Sequence, residues 1–224
     1  MSGMEFAAVS NPDLAAALFR LMGANVPVEY SCEAQARHWY DSLSTDQQRL
    51  QKVLMLCGTP QTPQQLYLAA RAASWLGGMD EQTAQYAQAY LESPGWSALP
   101  SGSITEQGIV VDRRIKQRAE LYAILAQAQE NLGKHEIALA NYQEAYRLEP
   151  YQAMYALKAA DILWKHRSRK EAMNYLRHQK SSPYYRHTVF TDERGNREHN
   201  DTFRHLIDSH LLKLESLEQE EKMA

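Results

Sequence analysis

The chain has 224 residues, of which 44% are hydrophobic and 23% are charged, and its formal net charge is −3. This length accommodates one solenoid-like domain, or a helical domain with appendages. The mildly acidic balance, with a pI near 6.2, argues against a general nucleic-acid-binding protein, because such proteins present a strongly basic face. The sequence contains no apolar run of about 18 residues or more, so we expect no membrane span.

Two further features predict a cytoplasmic protein. The N-terminal stretch lacks the basic segment of a signal peptide, and Pro12 and Asp13 interrupt its apolar run. The two cysteines, Cys32 and Cys57, occur singly, without a CxxC motif and without a histidine at metal-ligand spacing. Such residues are expected to be buried or idle thiols in a reducing compartment.

Residues 1–97 are predicted to form an N-terminal helical region. Asn11 before Pro12 is typical of a helix N-cap followed by a first-turn proline, and Thr62 before Pro63 repeats this device. Further helix starts are expected at Ser31, at Thr45 or Asp46, and at Asp80. Helix signals of this kind recur along the chain while strand signals are nearly absent, so the sequence predicts an all-α fold.

The region around residues 98–112 breaks the helical pattern. The stretch 93–111 contains two prolines, three glycines and four serines, and it is too long for a tight turn between helices. We expect 98–112 to be a loop or linker. Its apolar residues leave a second interpretation open, in which the loop folds over a binding groove.

Residues 119–150 carry the most informative pattern in the chain. They are expected to form two amphipathic helices joined at Gly133 and closed by Pro150, with small residues where the helices approach each other. The pattern-defining residues are Tyr122, Leu125, Ala126, Ala138, Tyr142, Ala145 and Pro150. Together they resemble the tetratricopeptide repeat (TPR), a helix–turn–helix unit of roughly 34 residues that stacks into a solenoid. Gln129 departs from the family pattern, which has an aromatic residue there; an ordinary helical hairpin is the alternative.

Two other segments fit the same frame less well. The segment from Ala153 to Pro183 matches it as a degenerate second repeat, so that 113–183 is expected to be a TPR pair. Gln179 stands in that repeat where alanine is usual. Upstream, 63–94 fits through Ala70, Tyr86, Ala89 and Pro94, with Gln82 at a position that usually holds alanine. The adjacent glycines Gly77 and Gly78 could shift the register of that unit.

The C-terminal part, 184–224, is expected to contain an irregular loop and a capping helix. The residues Thr188–Thr191 suggest either a short strand or an irregular loop. The final helix is expected to begin near Asn200 or Asp201. Its apolar stripe comprises Phe203, Leu206, Ile207, Leu211 and Leu214. Because a solenoid needs a terminal helix with one apolar and one polar face, we predict an all-α, TPR-like α-solenoid of antiparallel helix pairs with a C-terminal capping helix. The same stripe could instead pair with another chain.

Charge is distributed unevenly along the chain. Residues 1–112 hold 5 Lys/Arg and 11 Asp/Glu, whereas 113–224 hold 19 and 16. Within the second half, 165–187 has seven Lys/Arg and a single acidic residue, Glu171. This basic segment is either a solvated helix face or a patch that attracts an acidic partner or the acidic tail of the chain itself.

The resemblance to TPR proteins implies a binding groove lined by the first helix of each repeat. The corresponding residues are Glu120, Ala123, Gln127, Glu130 and Asn131 in one unit and Met154, Leu157, Asp161, Trp164 and Lys165 in the next. Trp164 and Met154 are residue types that anchor protein contacts, although Trp164 could equally be inter-repeat packing. The family variant that clamps a C-terminal carboxylate uses Lys and Asn at two of these positions. Ala123, Gln127 and their counterparts argue against that mode here.

Catalytic motifs are absent from the sequence. It has no P-loop, no dinucleotide-binding GxGxxG and no nucleophile elbow. His205 and Asp208 are three residues apart and could supply two metal ligands at most. We therefore expect a non-enzymatic protein without a cofactor, metal or small-molecule substrate.

The sequence supports one main function and two alternatives. The main hypothesis is an adaptor or chaperone that captures a peptide or helix of a partner protein in the groove of its TPR repeats. The first alternative is a structural subunit that self-assembles, as a homo-oligomer, or docks into a larger complex through its terminal helices. The second is a regulatory module whose basic segment 165–187 touches nucleic acid.

Overall fold

The computed structural model describes residues 10–26, 32–99, 101–106, 109–186, 188–191 and 197–223. Helices dominate these residues, and the predicted all-α fold of antiparallel helix pairs with a C-terminal capping helix is confirmed. The chain divides into two compact units, Met1–Leu99 and Pro100–Ala224. No helix among the described residues combines the length and hydropathy that crossing a bilayer requires. The expected N-cap at Ser31 lies outside the described residues.

The first unit contains five α-helices in its described part. They are α1 (Pro12–Leu21), α2 (Glu33–Ser42), α3 (Asp46–Cys57), α4 (Pro63–Leu76) and α5 (Asp80–Glu92), followed by a 3₁₀ turn, Pro94–Ala98. The capping devices work as the sequence predicts: Asn11 accepts a hydrogen bond from the Leu14 amide, and Thr62 forms a reciprocal capping box with Gln65. These side chains satisfy backbone donors that the first turn leaves unpaired.

Helix α1 lies at the centre of the first unit. Six consecutive residues, Leu14 to Phe19, are buried, and the helix packs against α2, α3 and α4. A helix that is apolar on all sides needs neighbours on all sides. A charged side chain, Arg71 on α4, is also buried in this core, where it donates hydrogen bonds to the Asn25 carbonyl and the Tyr67 hydroxyl.

Helices α4 and α5 form an antiparallel hairpin whose register differs from the predicted frame. In α5 the buried residues are Thr83, Ala87, Tyr90 and Leu91, whereas Gln82 and Ala89 are exposed and Tyr86 is half-buried. The buried set therefore lies one residue later than predicted. This shift arises because helix α4 continues to Leu76 before the turn begins. Gly77 and Gly78 form that turn with positive φ angles.

The second unit opens with a strand pair where a loop was expected. The strands β1 (Ser103–Glu106) and β2 (Ile109–Asp112) pair antiparallel, with Ile104 opposite Val111. The prediction that 98–112 is a loop is therefore wrong in this part. The β-branched residues of β2 favour an extended chain, and they outweighed the turn-forming residues nearby.

Four helices then form two antiparallel pairs. These are α6 (Arg113–Asn131) with α7 (His135–Leu148), and α8 (Ala153–His166) with α9 (Arg169–Gln179). The small residues Ala126, Ala138 and Ala145 are fully buried, as close helix packing requires. At the two positions within α6 to α9 where glutamine replaces the usual TPR residue, the side chain is buried and hydrogen-bonded: Asn141 donates to Gln129 (2.7 Å), and Gln179 donates to the Tyr175 carbonyl (3.0 Å).

The two pairs are joined at a short turn that contains a buried acid. Glu149 is only 1% exposed. Its carboxylate accepts hydrogen bonds from the hydroxyls of Tyr151 (2.6 Å) and Tyr155 (3.2 Å). Because a buried polar group is costly unless it is hydrogen-bonded, these tyrosines help to hold the turn and the start of α8 in place.

The C-terminal part contains a second strand pair and the capping helix. After a 3₁₀ turn at Pro183–Tyr185, strand β3 (Thr188–Thr191) pairs antiparallel with β4 (Arg197–Asn200), and α10 (Thr202–Met223) comes next. Part of the segment expected to be an irregular loop is thus a strand pair. Helix α10 packs on α8 and α9. It buries four residues in the core shared by α6 to α10: Phe203, Ile207, Leu211 and Leu214.

Candidate protein-binding surface

Helix α8 presents a stripe of one methionine and three charged residues that is central to the candidate surface. Met154, Lys158, Asp161 and Lys165 are spaced by four, three and four residues and therefore share one helical face. Met154 is 47% exposed, a high value for a large apolar side chain. The neighbouring stripe, which includes Leu157, is buried in the core.

Side chains of α6 bond to this stripe from one side. Lys158 donates to Gln127 Oε1 (3.4 Å), and the same oxygen accepts a hydrogen bond from the Tyr142 hydroxyl (3.2 Å). The Lys165 ammonium lies 3.5 Å from the Glu130 carboxylate. Two contacts between α6 and α8 thus link the first helices of the two pairs.

Helix α10 bonds to the stripe from the other side. His210 Nε2 lies 2.9 Å from Asp161 Oδ1, and the His210 side chain is only 13% exposed. We call the set of Gln127, Glu130, Lys158, Asp161, Lys165 and His210 the polar seam. It connects α6, α8 and α10 through side chains of both charges.

The electrostatics of the seam favour the charged form of Asp161. Burial by itself would raise the pKa of this carboxyl. The hydrogen bond from His210 and the positive charges of His210, Lys213 and Lys165 outweigh that effect and hold the pKa below its ordinary value of 3.8. In the opposite sense, burial and the negative charges of Glu130 and Asp161 raise the pKa of Tyr142, so its hydroxyl stays protonated.

The structure brings together some of the groove residues predicted from the sequence. Gln127, Glu130, Asp161 and Lys165 belong to the polar seam, and Gln127 also donates to Asn131 (3.2 Å). Met154 is exposed beside them, whereas Glu120 and Ala123 are half-buried on α6.

Two predicted groove residues serve packing. Leu157 is 6% exposed in the core and is not accessible to a partner. Trp164 is half-buried against the same core, and the Arg169 guanidinium lies 5.2 Å from its ring centroid. Both residues lie on the side of α8 that turns toward its neighbours. The family positions do not distinguish that side from the exposed stripe.

Sequence reasoning missed three contributors to the surface. Lys158 and His210 are members of the seam, and Lys213 lies close enough to Asp161 to act on its pKa. The spacing of Lys158 from Met154 and Asp161 placed it on the same face of α8 and could have identified it. His210 and Lys213 could not have been found, because their position depends on how α10 docks.

The basic segment 165–187 is largely paired within the chain. Arg177 contacts Glu215 (2.9 Å) and Lys180 contacts Asp208 (2.8 Å), both on α10. Arg167 forms an ion pair with Glu136 on α7. Of the interpretations left open by the sequence, attraction to the chain's own C-terminal helix is the one that these contacts support.

Metal-binding geometry does not occur in the described part of the chain: no three His, Cys, Asp or Glu side chains there converge on a point. Asp208, one of the two possible metal ligands considered from the sequence, instead forms an ion pair with Lys180 and accepts a hydrogen bond from the Tyr185 hydroxyl (2.8 Å). The Cys57 thiol is buried, and burial raises its pKa to about 12, so it is not a thiolate at neutral pH.

Comparisons with known proteins give little more. No protein-family model matches the chain, and no curated protein matches it. A solved structure, "Crystal structure of MamA", aligns with 89% of this chain and 100% of its own, with 13% sequence identity and a TM-score of 0.44. A likeness at that level carries no argument about function, which must come from the surface itself.

Proposed function

We propose that this chain is a non-enzymatic protein-binding module, an adaptor or chaperone, that holds a peptide or helix of a partner protein on the surface formed by α6, α8 and α10. The partner-binding residues in this proposal are Glu120, Gln127, Glu130, Asn131, Met154, Asp161 and Lys165. The proposal involves no cofactor, metal or small-molecule substrate, and it places the protein in the cytoplasm.

The observation that carries the proposal is the stripe Met154, Lys158, Asp161 and Lys165. It combines an exposed apolar anchor with fixed charges of both signs, and its neighbours on α6 and α10 hold those charges in place. Pre-organised side chains lose less conformational entropy when a partner binds. Apolar contact then contributes affinity, while the charges select the register of the partner.

The resemblance to TPR repeats supports the same surface. The stripe lies on the first helix of the second pair, where the family binds its ligands. The structure adds that the seam is internally bonded. A partner must therefore bind beside these pairs or exchange hydrogen bonds with them.

The test compares two exposed apolar residues of similar accessibility. Met154 is 47% exposed on α8, and Ile137 is 52% exposed on α7. We expect Met154→Glu to lose the partner in affinity capture from a native lysate, with bound proteins identified by mass spectrometry. Ile137→Glu is the matched control and should retain the same partner, since α7 contributes no residue to the seam.

Both variants must first show wild-type circular dichroism and thermal unfolding. Loss of the partner with Met154→Glu alone supports the proposed surface. A partner that is retained by both variants, or lost by both, contradicts it.

Asp161→Arg is not a suitable test of partner binding. The Asp161 carboxylate forms a hydrogen bond with His210 of α10. A change at Asp161 would therefore disturb the docking of the capping helix as well as the proposed surface.

A further inference from the structure

The ammonium group of Lys158 is weakly bonded within the chain. Lys158 belongs to the polar seam and is half-buried, one helical turn from the exposed Met154. It donates to Gln127 Oε1 at 3.4 Å, which is longer than the usual N–H···O distance of about 2.9 Å. That oxygen also accepts a hydrogen bond from the Tyr142 hydroxyl (3.2 Å). An ammonium group has more N–H donors than this single contact uses, so Lys158 retains donors for another acceptor.

The carboxylates of the seam are engaged with other cations. Glu130 is 17% exposed and lies 3.5 Å from the Lys165 ammonium, and Asp161 lies 2.9 Å from His210. In the part of the chain that the structure describes, no carboxylate forms an ion pair with Lys158. Because a charge that is partly removed from water is stabilised by an opposite charge, an anionic group from outside the chain would be stabilised at this position.

The balance of charge around Lys158 is positive. Lys158, Lys165 and Lys213 contribute ammonium groups, whereas Glu130 and Asp161 contribute carboxylates. Lys213 is exposed on α10 and acts electrostatically on Asp161. A negatively charged segment is therefore attracted to this part of the surface, and a positively charged segment is repelled from it.

We infer that the partner held on this surface is an acidic peptide segment, in which an Asp or Glu carboxylate binds Lys158 and a neighbouring apolar side chain contacts Met154. This inference rests on the proposed function and adds the chemistry of the partner. The carboxylate is that of a side chain and not that of a chain terminus. The residues with which TPR proteins clamp a terminal carboxylate are replaced here by Ala123 and Gln127.

The geometry of α8 sets the spacing of the two groups in the partner. Met154 and Lys158 are four residues apart, which separates them by about 6 Å along the helix axis. In an extended partner, residues two apart are separated by about 6.6 Å. On a helical partner, residues three or four apart are separated by about 5–6 Å. The partner is therefore expected to carry an acidic and a large apolar residue at one of these spacings.

The test selects peptides from a random library displayed on phage, with each peptide fused through its C-terminus so that it has no free terminal carboxylate. The wild-type protein should enrich peptides that carry Asp or Glu at these spacings from a large apolar residue. Lys158→Glu should retain the apolar preference but select Lys or Arg in place of the acidic residue. Lys170→Glu alters an exposed residue of α9 outside the seam and makes the same change in net charge. This control should select the same peptides as wild type.

Lys158→Met keeps the apolar stem of the side chain and guards against loss of folding in the charge-reversed variant. It should lose the acidic preference without acquiring a basic one. Circular dichroism and thermal unfolding establish that each variant folds.

The outcomes separate this inference from the proposed function on which it rests. An acidic preference that is the same in Lys158→Met and wild type overturns the inference, and so does enrichment of apolar peptides without a charge preference. In either case the proposed function stands if Met154→Glu abolishes enrichment. Failure of the wild-type protein to enrich any peptide overturns the inference and the proposed function together.

A synthetic version of one enriched peptide measures the contact directly. Replacing its acidic residue by Gln should weaken binding to wild type roughly tenfold in fluorescence anisotropy, as expected for a hydrogen bond to a charged group. The two peptides should bind Lys158→Met with nearly equal affinity. Equal binding of both peptides to wild type overturns the inference. A phosphoserine peptide that binds far more tightly than the acidic one overturns the assignment to a carboxylate.

Discussion

The hairpin formed by α4 and α5 can be compared with the hairpin formed by α6 and α7. The buried residues of the second helix have the same spacing in both hairpins, but they lie at different positions relative to the first helix. In α7 the buried residues Ala138, Tyr142 and Ala145 are four and three apart, and in α5 Thr83, Ala87 and Tyr90 repeat that spacing. Aligned on the first helices, α5 is one residue late. Spacing within a helix is local, whereas the frame between two helices depends on where the first helix ends.

The two turns show why the frame moves. Measured from the equivalent buried alanines, Ala70 and Ala126, α4 continues for six residues and α6 for five before the turn begins. The α4 turn has positive φ at both Gly77 and Gly78, whereas the α6 turn has it at Gly133. A single added helical residue rotates the next part of the chain by about 100° around the axis, enough to change which side chains face the core.

The largest effect that tests this comparison is expected at Tyr90. Its side chain is fully buried in α5, and Tyr90→Ala should lower the free energy of unfolding by about 3–5 kcal/mol, as for other large aromatic residues in cores. Tyr86→Ala, four residues earlier and half-buried, should cost about 1 kcal/mol. Urea denaturation followed by circular dichroism measures both. Equal costs, or a larger cost at Tyr86, would restore the frame predicted from the sequence.

Alanine enlargement sharpens the same comparison. Ala87→Leu and Ala145→Leu force extra volume into closely packed sites, and each should cost about 1–3 kcal/mol. Ala89→Leu, on the exposed face of α5, should change the unfolding free energy by no more than about 0.5 kcal/mol. Thermal unfolding of the three variants beside wild type gives the ranking. A destabilised Ala89→Leu together with a neutral Ala87→Leu would show that Ala89, and not Ala87, faces the core.

A smaller effect is expected where glutamine replaces the aromatic residue in α6. Gln129→Ala makes this position like Ala73, its counterpart in α4, but it leaves the Asn141 amide without its 2.7 Å acceptor. We expect a loss of about 1 kcal/mol. Gln143→Ala, exposed on α7, is the control and should be neutral in the same chemical denaturation. If both changes leave the free energy of unfolding unaltered, the hydrogen bond between Asn141 and Gln129 does not stabilise the fold in place of the aromatic residue that is usual at this position of a TPR repeat.

The smallest effect concerns the ion pair that the second unit uses to hold α10. Burial alone would raise the pKa of Asp208, but hydrogen bonds from Lys180 and Tyr185 lower it below 3.8. Because the folded-state pKa is lower than the unfolded one, this stabilisation is present above about pH 4 and is lost as the pH falls through the folded value.

Asp208→Asn should therefore be less stable than wild type at pH 7, by about 0.2–1 kcal/mol for a pair this exposed. The difference in stability should disappear by about pH 2, where the carboxyl group of the wild-type Asp208 is protonated and therefore as uncharged as the amide of the variant. Urea unfolding at pH 7, 5 and 2 provides the comparison, and a difference that persists unchanged at the lowest pH would contradict this role of Asp208.

The helices were predictable because their signals are local. Asn11 and Thr62 cap their helices by bonding to amides within the same turn, and such bonds depend on three or four consecutive residues. The strand pair β1–β2 was missed for a related reason. Turn-forming glycines and prolines dominate that segment, while pairing depends on two short strands meeting in register.

The candidate surface was predictable only in part. The resemblance to TPR repeats implied Met154, Asp161 and Lys165 as groove residues, and the structure leaves all three side chains at least partly exposed on α8. The same resemblance also implied Leu157 as a groove residue, but the structure buries Leu157 in the core. The side that packs and the side that stays open are separated by a small rotation of the helix, and that rotation is set by the neighbouring helices.

The sequence by itself determined the helical class, the caps and the spacing of small residues, because each depends on backbone propensity and on neighbours a few residues away. The tertiary structure decided the frame of α5, the burial of Leu157 and the partners of the charged residues. Arg177 and Glu215 are 38 residues apart in the chain. A contact over that distance exists only when the packing of the intervening helices has placed α10, and no local pattern encodes it.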